Sequence, residues 1–426
     1  MNNWQKKITS NTWKLQKQTV VPLWSIASEQ VIYAISRHTV PEFGKNSKRI
    51  RHFITLSKKI KLTDFLLFII GFTKAFSIWQ NSKRKHPSES KQFEKVFAGF
   101  GASSEKHMLE EFKRRSGENF LYINWIDYTG MDQLCRPTLF QLIATLAKNV
   151  FGHTAKFKNA LPEIQAYEAD FLTVCAKNVG LYSFFCAYWK NAKSHGVKEV
   201  IFLVPDMPAF ACVEAKIKTV FMQHGLISLG ILIPKLDRID ALTSTEESYL
   251  KNLFPDINIK KIHHAIYVDE NKNNTIMILS PNTFLEERLC AIAPFINWSR
   301  NIGIKIVIRP TNKVTAYELL LMKNQFSDCI IDDIEAPIHQ SLETWQPKFV
   351  AAWTSTGLAL ALEYGFLPIS FCDPSYEYLQ RMIYPLNERV FFWPSDKARI
   401  EQAVTSTDFY ITQVLRLQNT PLDFMD

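Results

Sequence analysis

The stretch KFVAAWTSTGLALALEYGFLPISF (348–371) carries the pattern that decides the fold. An apolar run breaks into the polar turn Thr354 to Gly357, an apolar run with helical spacing follows, and Gly365 precedes a second apolar run. Apolar runs that alternate with helical ones predict parallel strands joined by helices. Glycine is also the usual residue just past a helix C-terminus. The stretch therefore predicts strand, helix, strand.

The same alternation fills the second half of the chain. We predict a helix from about Leu285 to Ser299 and another over 336–345. Strands are predicted over 274–284, 303–313, 328–333, 348–357 and 367–374. Five such units in about 150 residues indicate a doubly wound, Rossmann-like sheet.

The first half repeats the alternation less regularly. Strands are predicted over 95–105, 118–125, 198–206 and 215–225, and 259–269 is either a last strand or the start of a linker. The polar segment DENKNNT (269–275) marks a domain boundary. We therefore predict an α/β chain of three parts: a basic segment (1–90), a Rossmann-like domain (91–270) and a second Rossmann-like domain (271–426) that faces it across a cleft.

Charge separates the first part from the rest. The chain carries a formal net charge of +9, yet residues 1–86 contain 16 Lys and Arg against 3 Asp and Glu. Aromatic residues are interleaved with these cations, and the apolar core Phe65–Phe72 is too short to span a bilayer. Such a segment fits a helix lying on an anionic membrane surface. The alternative is a helical subdomain that packs inside the protein. No recognised nucleic-acid module accompanies the charge, so we expect no nucleic-acid partner.

Cysteines and acidic pairs give no metal signal. The seven cysteines are scattered singly, which predicts buried free thiols in a reducing compartment. Asp332 and Asp333 are adjacent rather than spaced, and we predict no metal.

Polar residues gather where the predicted strands of the second half end. Ligands bind outside the carboxyl ends of such strands. The helix start after Ser355-Thr356-Gly357 offers free backbone N–H groups and a positive dipole end to a phosphate. The remaining polar tips are Ser280, Asn282, Arg309 with Pro310, Asp332, Asp333, Thr354 and Asp373. Glu363, about two turns along that helix, is placed to reach a ribose hydroxyl.

The stretch TVFMQHGLIS (219–228) raises a different expectation. A strand end can point an imidazole into a cleft, and Gly225 leaves room for a ligand near the backbone. His224 is then a candidate to accept the proton of an attacking hydroxyl or to hold a phosphate or carboxylate. The alternative is a hydrogen-bonded core histidine.

These motifs resemble those of bacterial GT-B glycosyltransferases. WTSTGLALALEYGFLPISF is similar to their donor-binding element, and Gln-His-Gly is similar to a motif of capsule and teichoic-acid transferases. Sialyltransferases of this architecture contact CMP through a His-Pro pair and a later Ser-Ser/Thr pair. This chain has Arg309-Pro310 and Ser355-Thr356 at similar positions. The resemblance covers roughly residues 95–395.

The resemblance implies an inverting, metal-independent transferase without a cofactor. Its donor would be a CMP-linked acidic sugar: sialic, pseudaminic or legionaminic acid, or Kdo. Its acceptor would be a capsule or lipooligosaccharide glycan at the cytoplasmic face of the inner membrane. The acidic general-base motif of those enzymes is not intact here, which leaves Asp206 and Glu105 as candidates beside His224. Either carboxylate is alternatively a capping or surface residue.

Three alternatives remain open at this point. The nearest is a GT-B enzyme that uses a UDP-sugar or a CDP-activated polyol. The second is an epimerase of the UDP-sugar 2-epimerase type, which needs no lipid-linked acceptor. The third is a non-catalytic partner in capsule assembly.

Overall fold

The computed structural model describes residues 5–10, 12, 47–59, 62–82, 93–101, 105–116, 119–134, 136–151, 168–262, 273–280, 285–311 and 314–420. Within these ranges the chain forms two parallel sheets of six strands each, both flanked by helices. The predicted α/β class with two Rossmann-like sheets is confirmed.

The first sheet has the strand order β2-β1-β3-β4-β5-β6. Its strands are β1 (Lys95–Gly99), β2 (Leu121–Asn124), β3 (Glu199–Phe202), β4 (Lys218–Met222), β5 (Arg238–Ala241) and β6 (Asn258–Lys261). All neighbouring pairs are parallel. The order in which strands are added to the sheet reverses at β1, because β2 lies on one side of it and β3 on the other.

Within the described ranges, seven helices accompany this sheet. They are α1 (Ser47–Lys59), α2 (Thr63–Asn81), α3 (Glu105–Ser116), α4 (Leu139–Val150), α5 (Glu168–Ser194), α6 (Met207–Glu214) and α7 (Ser244–Leu253). The 27-residue helix α5 is buried over most of its length, because apolar residues occupy nearly its whole circumference.

The second sheet has the order β12-β11-β10-β7-β8-β9, which is the Rossmann order. Its strands are β7 (Asn273–Leu279), β8 (Lys305–Arg309), β9 (Ile330–Ile331), β10 (Pro347–Ala352), β11 (Leu367–Ser370) and β12 (Phe391–Phe392). Its helices are α8 (Leu285–Asn301), α9 (Ala316–Gln325), α10 (Ile338–Trp345), α11 (Thr356–Glu363), α12 (Glu377–Gln380), α13 (Lys397–Thr405) and α14 (Thr407–Gln418). The chain leaves the first sheet at Lys261 and enters the second at Asn273, and the boundary predicted between residues 270 and 271 lies in this interval.

The basic N-terminal segment packs on the first domain. Leu67, Gly71, Ala75 and Ile78 form the buried face of α2, and the three apolar side chains belong to the core of that domain. A Cβ added at Gly180 would lie 2.3 Å from the Gly71 carbonyl oxygen, so α2 and α5 cross with their backbones almost in contact. These contacts agree with the packed-subdomain alternative, and the opposite face of α2 is considered below. None of the described helices has the length and apolar character needed to cross a membrane.

Direct contacts join the two domains just after β4. Ile227 and Leu229 exchange backbone hydrogen bonds with Ile383 and Arg381, and Ser228 pairs with Met382 in an antiparallel bridge. The helical residues 5–10 lie at the same junction. Gln5 Nε2 donates to the Gln380 carbonyl of the second domain, and the nearby Thr12 hydroxyl donates to the Leu229 carbonyl of the first. The Gln-His-Gly turn is therefore attached to both domains.

Candidate active site

In the second sheet the order of strand addition reverses at β7, because β8 lies on one side of it and β10 on the other. The predicted phosphate turn lies where β10 ends, next to the end of β7. Ser280 follows β7, and residues 353–357 follow β10. Strands in doubly wound sheets leave a crevice at such a reversal, and ligands bind in it. Thr354, Ser355 and Thr356 are each partly exposed at this crevice, whereas Ser280 is buried. Asn282 lies outside the described residues.

The turn is built by a cap and by a glycine. Ser355 is the N-cap of α11, and its hydroxyl accepts a hydrogen bond from the Gly357 N–H at 3.0 Å. A Cβ at Gly357 would lie 2.4 Å from Leu279 Cδ1 and 2.8 Å from Ile338 Cδ1. Gly357 therefore lets the start of α11 approach β7, which aims the helix N-terminus into the crevice.

The Gln-His-Gly turn faces this helix start from the other domain. A Cβ added at Gly225 would lie 3.8 Å from Thr356 Oγ1, and among the described residues this is the one atom within 4 Å outside the adjoining chain. The two motifs, 131 residues apart in sequence, are thus brought face to face. A ligand bound at the start of α11 would also touch the turn that carries His224.

A buried polar cluster holds the Gln-His-Gly turn in shape. Gln223 Nε2 donates to the Gly225 carbonyl at 2.8 Å and to Glu246, and Gln223 Oε1 accepts from the Leu242 N–H. Glu246 Oε1 accepts from the Ile227 N–H at 2.7 Å. Burial raises the pKa of Glu246 to about 7, although these hydrogen bonds oppose the shift. Neither Gln223 nor Glu246 was predicted as a site residue.

His224 has one ring nitrogen held and the other left as a base. Nδ1 lies 2.7 Å from the Leu203 carbonyl oxygen, which can only accept, so Nδ1 carries the proton and Nε2 has the lone pair. Burial lowers the pKa of His224, while the Leu203 bond and the Glu105 charge oppose that shift. The Phe100 ring packs edge-on against the imidazole at 4.8 Å. His224 is therefore a neutral imidazole of fixed orientation.

The two candidate carboxylates are engaged elsewhere. Both oxygens of the buried Glu105 accept hydrogen bonds, from Tyr122 Oη at 2.6 Å and from the N–H groups of Phe100 and Gly101. Asp206 is the N-cap of α6 and accepts from the Met207 N–H. Glu105 thus positions the loop that carries Phe100 against His224, and Asp206 caps a helix, as the capping alternative held.

Arg309 is committed to its own domain. Its guanidinium forms an ion pair with Asp332 at 2.8 Å and also donates to Ser341 and to the Ala336 carbonyl. The side chains of Arg309 and Asp332 are 10% and 7% exposed. Pro310 is buried directly behind it. This network holds β8, β9 and α10 together, on the β8 side of the crevice.

Glu363 bridges the domains. Its carboxylate accepts from the Ser244 hydroxyl at 2.6 Å and from the Ser244 N–H at 3.2 Å, and it forms an ion pair with Lys261 at 3.4 Å. Ser244 and Lys261 belong to the first domain. The carboxylate predicted to reach a ribose therefore contacts the facing domain.

Arg288 is a cation at the crevice that sequence reasoning missed. Its guanidinium stacks on the Trp353 ring, 4.9 Å from the centroid, and Trp353 directly follows β10. Arg288 is partly exposed in the first turn of α8, the helix after β7. The available signal was a cation in the first turn of a helix, where the dipole disfavours one.

The last predictions concern the cysteine thiols and a metal site. Six described cysteines have free thiols, three of them buried: Cys175, Cys186 and Cys212. Among the described residues no group of three or more His, Cys, Asp or Glu could hold a metal ion.

Comparison with known proteins gives only distant likenesses. No protein-family profile and no curated protein matches the chain. Among solved structures, the glycosyltransferase SnogD from Streptomyces nogalater is 13% identical, with 76% of this chain and 94% of that one covered and a TM-score of 0.43. MurG of Acinetobacter baumannii is 10% identical (78% and 95% covered, TM-score 0.41), as is the wall teichoic acid polymerase TagF (88% and 92%, TM-score 0.40). At such TM-scores these likenesses carry no argument about function.

Proposed function

We propose that this protein is a glycosyltransferase that uses a nucleotide sugar. The observation that carries the proposal is the opposition of two strand-end turns. A Cβ added at Gly225 would lie 3.8 Å from Thr356 Oγ1, so the start of α11 and the turn that carries His224 lie next to each other. A group transfer needs both elements at one place: one that stabilises the departing phosphate and one that takes up a proton.

His224 is the general base in this proposal. The acceptor hydroxyl gives its proton to Nε2 of His224, and its oxygen attacks the anomeric carbon. The bond from that carbon to the nucleotide phosphate breaks, and the nucleotide leaves with the bonding electrons. A single displacement of this kind inverts the anomeric centre. Glu105 and Gln223 act as positioning residues, because they hold Phe100 and the Gln-His-Gly turn around the imidazole.

The leaving phosphate is stabilised from the second domain. The start of α11 supplies N–H groups and the positive end of its dipole, and Thr356 supplies a hydroxyl. We propose Arg288 as the cation of this site, since its guanidinium lies beside Trp353 and forms no ion pair with the part of the chain that the structure describes. Arg309 supports the site indirectly through Asp332. Thr354, Ser280 and Asn282 remain proposed contacts at the ends of β10 and β7.

The finer parts of the proposal come from the sequence resemblance. The donor is a CMP-linked acidic sugar, the acceptor a capsule or lipooligosaccharide glycan, the reaction needs no metal, and the protein works at the inner face of the cytoplasmic membrane. Arg309 has the place of the histidine in the His-Pro pair of the CMP-using enzymes. Nucleotide preference is therefore the part of the proposal to be tested first.

The test is a titration followed by a turnover assay. Purified protein is titrated calorimetrically with CMP, CDP, UDP and GDP in the presence of a chelator, and the preferred nucleotide is supplied as its sugar with glycan acceptors. Tight binding of one nucleotide that Arg288→Ala weakens would support the site. CMP would support an acidic sugar, CDP an activated polyol, and UDP or GDP another donor. Binding without turnover would favour a non-catalytic partner, and no binding would overturn the proposal.

A further inference from the structure

The outer face of α2 carries exposed apolar side chains. Phe65 and Ile69 lie about one turn apart, opposite Leu67 and the rest of the packed side. Phe65 and Ile69 are 54% and 45% exposed. A soluble helix ordinarily has one apolar stripe and a polar opposite face. The outer face of α2 departs from that rule.

The neighbouring helix α4 continues this face. Phe140 and Ile143 lie on α4 and Phe151 directly follows it, and they are 80%, 36% and 49% exposed. The two helices lie antiparallel: Trp79 Nε1 donates to the Pro137 carbonyl at one end, and the Phe68 and Phe151 rings stack 5.6 Å apart at the other. We define the α2–α4 face as Phe65, Ile69, Phe140, Ile143 and Phe151.

Basic residues predominate in the sequence around α2, although Lys58 forms an ion pair with Glu168. Across α2 and α4 the sequence contains a single acidic residue, Asp64. Two basic runs border α2, KKIK (58–61) before it and KRK (83–85) after it. In sequence these runs precede and follow α2, a helix of 19 residues that is about 28 Å long. A face that joins exposed aromatic rings to flanking cations complements the interface of an anionic lipid leaflet.

We propose that the α2–α4 face inserts into the headgroup region of an anionic membrane. This deepens the membrane part of the proposed function and differs from the sequence expectation in one respect. The docking element is a folded surface of the first domain that includes α4, and α2 is fixed to that domain through Gly71 and Gly180. Binding therefore brings the first domain, and with it the turn that carries His224, to the lipid surface.

The test uses the full chain and two kinds of vesicle. Flotation is measured with phosphatidylcholine vesicles and with vesicles in which about a third of the lipid is phosphatidylglycerol. We expect binding to the anionic vesicles that falls as salt rises, because charge attraction between cations and lipid headgroups is screened. Ile69→Glu with Phe140→Glu should lower the binding at least about tenfold, since a carboxylate must then enter an apolar, anionic interface.

Matched controls separate this surface from general stickiness. Tyr317→Glu and Leu320→Glu place the same charges on α9, at residues that are 69% and 54% exposed. Those variants should bind vesicles as the unaltered chain does. All four substitutions are at exposed positions, and equal unfolding midpoints would verify the fold.

Two outcomes would overturn the inference. One is equal vesicle binding by the α2–α4 variant and the α9 variant. The other is failure of the unaltered chain to bind anionic vesicles; if the chain then sediments as a dimer that the α2–α4 variant abolishes, the face belongs to a second copy. Nucleotide titration of the same variants should be unchanged, so a failure of the proposed reaction remains distinguishable from a failure of docking.

Discussion

Replacing Arg309 by alanine should destabilise the second domain strongly. The guanidinium and the Asp332 carboxylate are almost completely buried, and they contact each other at 2.8 Å. Burial by itself raises the pKa of Asp332, but hydrogen bonds from Ser341, Trp345 and Arg309 lower it below its usual value, so the carboxylate stays ionised. Removing one partner of a buried pair costs about 3–5 kcal/mol, because it leaves the other charge uncompensated.

The assay is urea unfolding followed by tryptophan fluorescence, since Trp345 Nε1 donates to Asp332 at 2.7 Å. Lys397→Ala is the control: its ion pair with Glu401 is exposed, at 3.8 Å, and should be worth less than about 1 kcal/mol. Arg309→Ala combined with Asp332→Asn should regain part of the lost stability, because no uncompensated carboxylate remains. A loss below about 1 kcal/mol for Arg309→Ala, with nucleotide affinity reduced and not restored by Asp332→Asn, would refute this structural role and favour direct phosphate contact.

Four further predictions concern the two facing turns and the residues that support them. His224→Asn should lower turnover by about 10²–10⁴-fold with little change in nucleotide affinity, and its near-normal turnover would refute the general base. In the unaltered enzyme the acid limb of the rate profile should fall below pH 6.5, since burial lowers the pKa of His224 and keeps the imidazole neutral above that pH; a limb above pH 7 would contradict this. Gly357→Ala should cost about 1–3 kcal/mol and weaken nucleotide binding, because its Cβ overlaps Leu279 and Ile338, whereas Gly225→Ala, with its nearest neighbour at 3.8 Å, should fold normally. The pKa of Glu246 is about 7 in the folded protein, against an ordinary value of 4.5. Its protonated form therefore contributes about 3 kcal/mol to stability below pH 4.5, and this contribution is lost as the pH rises to about 7. Glu246→Gln should flatten this part of the plot of unfolding free energy against pH, and an unchanged plot would refute the assignment.

The strands were predictable wherever apolar runs are long enough to bury both faces of a parallel sheet. Residues 274–279 and 348–352 fall in strands β7 and β10 as expected. Strand β5 was missed because its four residues, Arg238–Ala241, include two charged ones, and β12 because it has only two residues. Both segments become strands because a neighbouring strand offers backbone hydrogen bonds to them, and the local sequence does not show this.

The site was predictable in its motifs and not in their partners. The Ser355 turn and the Gln-His-Gly turn were identified because each follows a strand. Glu246 was not, since in sequence it resembles a residue in the first turn of a capped helix, with Thr243 as the N-cap. Its contact with Gln223 exists only because β4 and β5 are neighbours, and β5 had been missed. Arg309 was expected to face the ligand, since the sequence does not show that it has a buried partner. That partner, Asp332, lies 23 residues away, directly after the adjoining strand β9.

Calorimetric titration is the most direct test of a nucleotide-sugar site between the two turns. We expect one nucleotide among CMP, CDP, UDP and GDP to bind at a single site, and Arg288→Ala and Thr356→Val to weaken that binding. Gly225→Leu should weaken the binding of the sugar-linked nucleotide further, by filling the space between the two turns. Absence of binding to all four nucleotides, or binding that none of these variants changes, would contradict a nucleotide-sugar site between Gly225 and Thr356.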